Sequence, residues 1–124
     1  MVVGLGIDLI EVQRIRQVFA RHGEKFIERI FSPGEAAYCA ERGDPMQHFA
    51  ARFAAKEATV KALGGWRGLR WRDIVCASGK GAAPQLIVAG PLGEAFAKLG
   101  VGRSMVSLTH TDQIAGAVVV LEAL

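Results

Sequence analysis

The segment MQHFAARFAAKEATVKALGG, residues 46–65, constrains what this chain can fold into more than any other stretch. Small and apolar residues run at helical spacing up to a Gly-Gly stop, which predicts a helix over 46–63. At about 100° per residue, Phe49, Phe53, Val60 and Leu63 share one narrow sector, and Lys56 falls in its middle. Glu57 and Lys61 flank that sector four residues apart, as neighbours on one face, and Arg52 and Lys56 form a second such pair. A surface helix usually places its charges opposite the apolar stripe. Here they border the stripe itself, where an unpaired charge is costly. These groups need partners or a chemical task.

The remaining pattern divides the chain in two. Val2–Ile10 reads as a buried strand thinned by Gly4 and Gly6, with Asp8 near its end. Glu11–Arg21 places Val12, Ile15, Val18 and Phe19 at helical spacing, and Gly23 suits its end. A short helical piece follows over Glu24–Ile30. Ser32-Pro33-Gly34-Glu35 then combines an N-cap serine, proline at the first helical position and a capping-box glutamate, predicting a helix to about Arg42. Beyond residue 65 come strands at Asp73–Ala77 and Gln85–Val88 separated by a turn at Ser78–Pro84, and a short helix at Leu92–Leu99. The last two strands, Ser104–His110 and Ile114–Glu122, form a hairpin around Thr111-Asp112-Gln113. Helices crowd the first half and strands the second, which predicts an α+β fold with an antiparallel sheet packed on helices, in one domain over residues 1–124.

Composition excludes more than it selects. Half of the 124 residues are hydrophobic, enough for a core and against disorder. The longest apolar run, Ile114–Leu121, is far short of the roughly 20 residues a membrane helix needs. The N-terminus lacks a basic leader and meets an acid at Asp8, as a first strand would and a signal peptide would not. Cys39 and Cys76 lack metal-ligand spacing and read as free thiols of a reducing cytoplasm. A formal charge of +3 permits a nucleic acid, an acidic protein or a phosphorylated small molecule as partner.

Several residues carry possible chemistry. Asp8 either caps the following helix or serves as a metal ligand, and the second role needs another carboxylate, for which Glu57 is the candidate. Two carboxylates completed by water and phosphate oxygens suit Mg²⁺. Lys61 would reach the same phosphates, although Glu57–Lys61 taken alone reads as an ordinary surface ion pair. Gly64-Gly65 is a helix C-cap or a close approach to phosphate, and no P-loop pattern exists. His110 shares strand parity with Val106 and Leu108, pointing inward as a core histidine or a site residue. Trp66–Arg72, WRGLRWR, interleaves aromatics with cations, either to stack on bases or as packed tryptophans with solvated arginines. Ser107 has no nearby base in sequence and neither cysteine sits near a histidine, so in an enzyme the nucleophile would belong to the substrate.

GLGIDLIEVQRI at 4–15, ARFAAKEATVKALG at 51–64 and VSLTHTDQIAGAVV at 106–119, with FSPGE at 31–35, resemble the holo-acyl-carrier-protein synthases in order, spacing and overall length. These are small bacterial 4'-phosphopantetheinyl transferases. The resemblance implies their fold, with one long central helix, and transfer of 4'-phosphopantetheine from coenzyme A to an acyl-carrier-protein serine in support of fatty acid biosynthesis. It implies that Asp8 and Glu57 hold Mg²⁺ and, with Lys61, form the catalytic set. Arg52, Lys56, Lys61, Gly64, His110 and Thr111 would contact coenzyme A, His110 and Thr111 near its adenosine end. Arg14, Arg16 and Arg21 would receive the acidic carrier. A cytoplasmic homotrimer with interfacial sites is implied too, and neither nucleic acid nor membrane is an expected partner. The chain departs from the family pattern at GGWRGLRW, in place of a Gly-Thr-Gly start. It departs again at Lys80-Gly81-Ala82-Ala83-Pro84, in place of Gly-Lys-Pro, and at Thr111, where some members carry an acid.

Overall fold

In the computed structural model, which describes residues 1–78, 81 and 83–124, the chain opens with β1 (Val2–Glu11). Four helices follow: α1 (Val12–His22), α2 (Glu24–Ile30), α3 (Pro33–Ala40) and α4 (Pro45–Ala62). A single 3-10 turn, Trp71–Asp73, leads into β2 (Ile74–Ala77), β3 (Gln85–Val88) and α5 (Gly90–Lys98). The chain ends in the hairpin of β4 (Val101–His110) and β5 (Ile114–Ala123). The helix predicted over 46–63 is α4, with Pro45 in its first turn. The capping box of α3 forms as its sequence indicates: Glu35 N–H donates to Ser32 Oγ at 3.2 Å, and Ser32 N–H donates to Glu35 Oε1 at 2.9 Å. Part of the turn expected over 78–84 lies outside the described residues.

β5 is central in an antiparallel sheet of order β1-β5-β4, and α4 lies across it, touching both β1 and β5. Glycine makes that contact close. A Cβ on Gly6 would overlap the carbonyl oxygen of Ala58, and one on Gly4 would strike the carbonyl of Ala62. Ala50, Ala51, Ala54, Ala55 and Ala58 give α4 a smooth buried surface to match. β2 and β3 form a separate antiparallel ribbon beside it.

The expectation of a buried first strand is half correct. Gly4, Gly6, Asp8 and Ile10 turn toward α4, while Leu5, Ile7 and Leu9 on the other face are 64%, 64% and 69% exposed. Val118 lies opposite Ile7, Val120 opposite Leu5, and Met105 of β4 next to Val120, extending the same apolar face across the sheet.

Candidate active site

The geometry of β1 and α4 brings Asp8 and Glu57 together. Side chains alternate along a strand, so the glycines that press β1 onto α4 also put Asp8 on the inner face. Both carboxylates line one cleft of about 270 Å³, with Arg14, Ile15 and Val18 of α1, Phe26 of α2 and Phe53 of α4. Asp8 does not cap α1. Glu11 occupies that position, and no side chain caps the helix. Burial, and then the charge of Asp8, push the Glu57 carboxyl above its ordinary range, while Lys61 and Arg14 pull it back. Two carboxylates in one half-buried cleft, with no hydrogen bond to the Glu57 carboxylate among the described residues, form a hard oxygen pair suited to a cation. No third His, Cys, Asp or Glu joins them among the described residues, so the remaining ligands of such a cation would be water or substrate oxygens.

Lys61 takes a different partner from the one its spacing suggests. Its Nζ donates to Asp8 Oδ1 at 3.0 Å and to the Ile7 carbonyl at 3.1 Å, with no ion pair to Glu57. The lysine remains half exposed beside Asp8. Gly64 and Gly65 have φ of 80° and 113° and close α4, donating their N–H groups to the carbonyls of Lys61 and Val60. Those two N–H groups are thereby committed to the helix end.

Lys56 requires a correction. It was expected at the coenzyme A phosphates, yet its side chain is wholly buried. Its ammonium donates to Glu35 Oε1 at 2.9 Å, to the Trp71 carbonyl at 3.3 Å and to the Ile74 carbonyl. All three donors are spent. The other Glu35 oxygen accepts from Cys76 N–H at 3.0 Å, so one ion pair ties α3, α4 and β2 together. Burial pushes the Lys56 pKa down, and Glu35 draws it back up. No local signal marks Glu35 as the partner, since its role in the capping box already accounts for it.

Arg52 lies five residues before Glu57, about 140° around the helix, and faces another pocket. That pocket, about 330 Å³, is lined by Tyr38, His48, Arg52, Ser78, Pro84 and His110 among others. Arg52 donates to Ser78 Oγ at 2.6 Å and to the His48 carbonyl at 3.3 Å, and its guanidinium lies 4.4 Å from the Tyr38 ring centre. Its Nε is buried without a partner among the described residues. The His110 ring sits 5.3 Å from that of His48; it is on the inner face, as its parity predicts, but exposed at the strand end. Burial, then Arg52 and His110, lower the His48 pKa below 6.5. The Thr111 hydroxyl accepts from the N–H groups of Gln113 and Ile114 and so shapes the hairpin turn.

Of the three arginines expected to receive a partner, Arg14 lines the carboxylate cleft and Arg21 is exposed. Arg16 is tied to Asp44 in an ion pair, which leaves it less free for docking than its sequence suggests. Spacing alone did not single out Phe26 and Val18 as cleft residues, because their apolar character reads equally as core. The two tryptophans of the 66–72 loop are half-buried, Trp71 lying 5.1 Å from the ring of Phe53, while Arg67, Arg70 and Arg72 are exposed. That is the packed-tryptophan form of the loop.

The site is a half-buried acidic pair, Asp8 on a strand and Glu57 on the helix across it, with Lys61 bonded to Asp8, on an α+β fold. A family model described as the 4'-phosphopantetheinyl transferase superfamily matches residues 4–118. A holo-[acyl-carrier-protein] synthase of Anaeromyxobacter dehalogenans is 47% identical over 125 residues, covering 98% of this chain and 97% of that protein. The crystal structure of holo-[acyl-carrier-protein] synthase from Neisseria meningitidis superposes with a TM-score of 0.88 at 31% identity, covering 98% of this chain and 99% of that one. The Helicobacter pylori holo-[acyl-carrier-protein] synthase, solved in complex with coenzyme A, gives 0.82 at 31% identity, covering 95% and 99%. The chain belongs to the 4'-phosphopantetheinyl transferase superfamily, within it to the holo-[acyl-carrier-protein] synthases, and is a transferase.

Proposed function

We propose that the chain transfers 4'-phosphopantetheine from coenzyme A to a serine of an apo-acyl carrier protein. The serine Oγ forms a bond to phosphorus as the bond to the leaving phosphate breaks, releasing adenosine 3',5'-bisphosphate. One observation carries this reading: Asp8 and Glu57 line the same cleft, and the Lys61 ammonium is bonded to Asp8. Asp8 and Glu57 would hold Mg²⁺, and the ion would supply positive charge against the diphosphate.

The chain's own residues do the rest. Glu57, whose carboxylate is raised by burial and by Asp8, accepts the serine proton. Lys61 is exposed enough to leave Asp8 and meet the phosphates as charge builds on the leaving group. The missing nucleophile is supplied by the carrier. Catalysis then rests on positioning and electrostatics, as is usual for phosphoryl-type transfer.

Arg52 and His110 suit the phosphate and adenosine end of the donor, but their pocket shares no residue with the Asp8–Glu57 cleft. One copy of the chain thus carries two half-sites on opposite flanks of α4. Assembly brings the flanks of neighbouring copies together, and the apolar face of Leu5, Ile7 and Leu9 is the surface that such assembly would cover. A homotrimer with sites between subunits accounts for both features. The 124 residues act as one transferase domain, and Cys39 and Cys76, both free and buried, suit a reducing cytoplasm. The holo-carrier product would serve fatty acid synthesis.

Mass spectrometry of an apo-carrier incubated with the protein, coenzyme A and Mg²⁺ tests the reading. One added phosphopantetheine per carrier is expected; an unchanged carrier mass under these conditions would reject it.

A further inference from the structure

The cations of the 66–72 loop are not used by the reaction as derived. Arg70 and Arg72 converge with Arg29 of α2 on one open concavity of about 520 Å³, floored by Leu69 and Trp71. All three arginines are exposed, and none makes a salt bridge among the described residues. Asp73 is the one acid lining the concavity, and its carboxylate lies against Gly90 at the start of α5, where an added Cβ would come within 3.0 Å of it. Arg72 also opposes the fold's own interior, since its charge disfavours the buried ammonium of Lys56. Three like charges around one hollow repel one another, and a complementary anionic surface removes that cost.

The hollow is next to the catalytic cleft. Trp71, in its floor, packs at a tilt against Phe53, which lines the Asp8–Glu57 cleft. Arg29 lies three residues from Phe26, another cleft residue, so both belong to one turn of α2 and its neighbour. A protein delivering a serine to Glu57 covers this rim as well as Arg14. A polynucleotide fits less well: Trp71 is packed on Phe53 and Trp66 is half-buried against the core, which leaves neither ring as a free stacking platform.

We propose that Arg29, Arg70 and Arg72 form a second docking patch for the acidic carrier protein, so that the carrier bridges the cleft between Arg14 and this cluster. The proposal rests on the transfer reaction above. Its test is steady-state transfer by the full chain and by Arg70→Glu/Arg72→Glu, with KM measured separately for apo-carrier and coenzyme A at low and high salt. The carrier KM is expected to rise roughly tenfold at low salt, with kcat and the coenzyme A KM within twofold and a weaker salt dependence than in the parent. Arg70→Gln/Arg72→Gln, which removes charge without reversing it, should move the carrier KM in the same direction by less. An unchanged carrier KM in the glutamate variant overturns the patch while leaving the transfer reaction standing. A raised coenzyme A KM also overturns it, assigning the arginines to the donor's phosphates instead. So does a labelled single-stranded oligonucleotide that binds the parent, loses affinity in the variant and is not displaced by carrier. A parent protein that modifies no carrier removes the reaction and the patch together.

Discussion

Replacing Glu35 by glutamine isolates the ion pair that α3, α4 and β2 share. The side chain keeps its shape but loses its charge and gains an NH₂ group where only acceptors now stand. Oε1 serves Ser32 N–H and the Lys56 ammonium, each at 2.9 Å, and Oε2 serves Cys76 N–H at 3.0 Å. Either amide orientation sets a donor against a donor. The less damaging one keeps the amide oxygen toward Lys56 and Ser32 and leaves Cys76 N–H without its acceptor. Both members of the pair have fully buried side chains, so the Lys56 charge then lacks a compensating anion. Breaking one side of such a pair costs about 3–5 kcal/mol. At roughly 2.1 cal/mol/K per residue, the 124 residues unfold with an entropy of about 0.26 kcal/mol/K. The melting temperature should therefore fall by about 12–19 °C, as read by calorimetry at pH 7. Glu35→Gln/Lys56→Met, which removes the stranded cation, should melt above the single variant. A shift under about 4 °C for Glu35→Gln, or a double variant less stable than the single, would refute the claim that the pair is buried and coupled.

Three further outcomes follow from other contacts. Gly6→Ala should cost about 3 kcal/mol or more by denaturant unfolding, because its Cβ would meet the Ala58 backbone; Gly34→Ala, with open space around it, should stay near the parent. Burial together with Arg52 and His110 holds the folded His48 pKa below 6.5, while Asp44 opposes the shift. Between the folded value and 6.5 the unfolded chain binds more protons, so stability is full above 6.5 and falls as pH drops through that window. His48→Gln should flatten melting temperature against pH there, and an unaltered slope would remove His48 as the cause. For the arginines of α1, Arg14→Gln should raise the carrier KM more than Arg16→Gln does, because Asp44 already engages Arg16; the reverse order would mean that the ion pair opens when the carrier binds.

How much was legible in the sequence depended on the range of the interaction. The α3 start was readable because Ser32 and Glu35 satisfy one another within a single turn. The Asp8–Glu57 pairing was readable because an acid in an apolar strand and another beside a buried helical stripe both need company. The partners of Lys56 and Arg16 were not, since Glu35 and Asp44 lie 21 and 28 residues away and carry no local mark. Lys61 misled for the same reason: helical spacing offered Glu57, and the strand crossing α4 brought Asp8 closer. The apolar run of β1 misled differently, because a strand covered on both faces and one covered on a single face look alike in sequence. Only the glycines, which permit α4 to approach one face, distinguish the two.

The central claim is that transfer occurs at the cleft of Asp8 and Glu57, with Glu57 taking the serine proton. Its most direct test is the kcat of Glu57→Gln with intact apo-carrier, coenzyme A and Mg²⁺, measured alongside Mg²⁺-dependent coenzyme A binding. The variant is expected to fold and its kcat to fall by about 10²–10⁴, more than any weakening of donor binding explains. Full turnover with normal binding of coenzyme A and Mg²⁺ would contradict it.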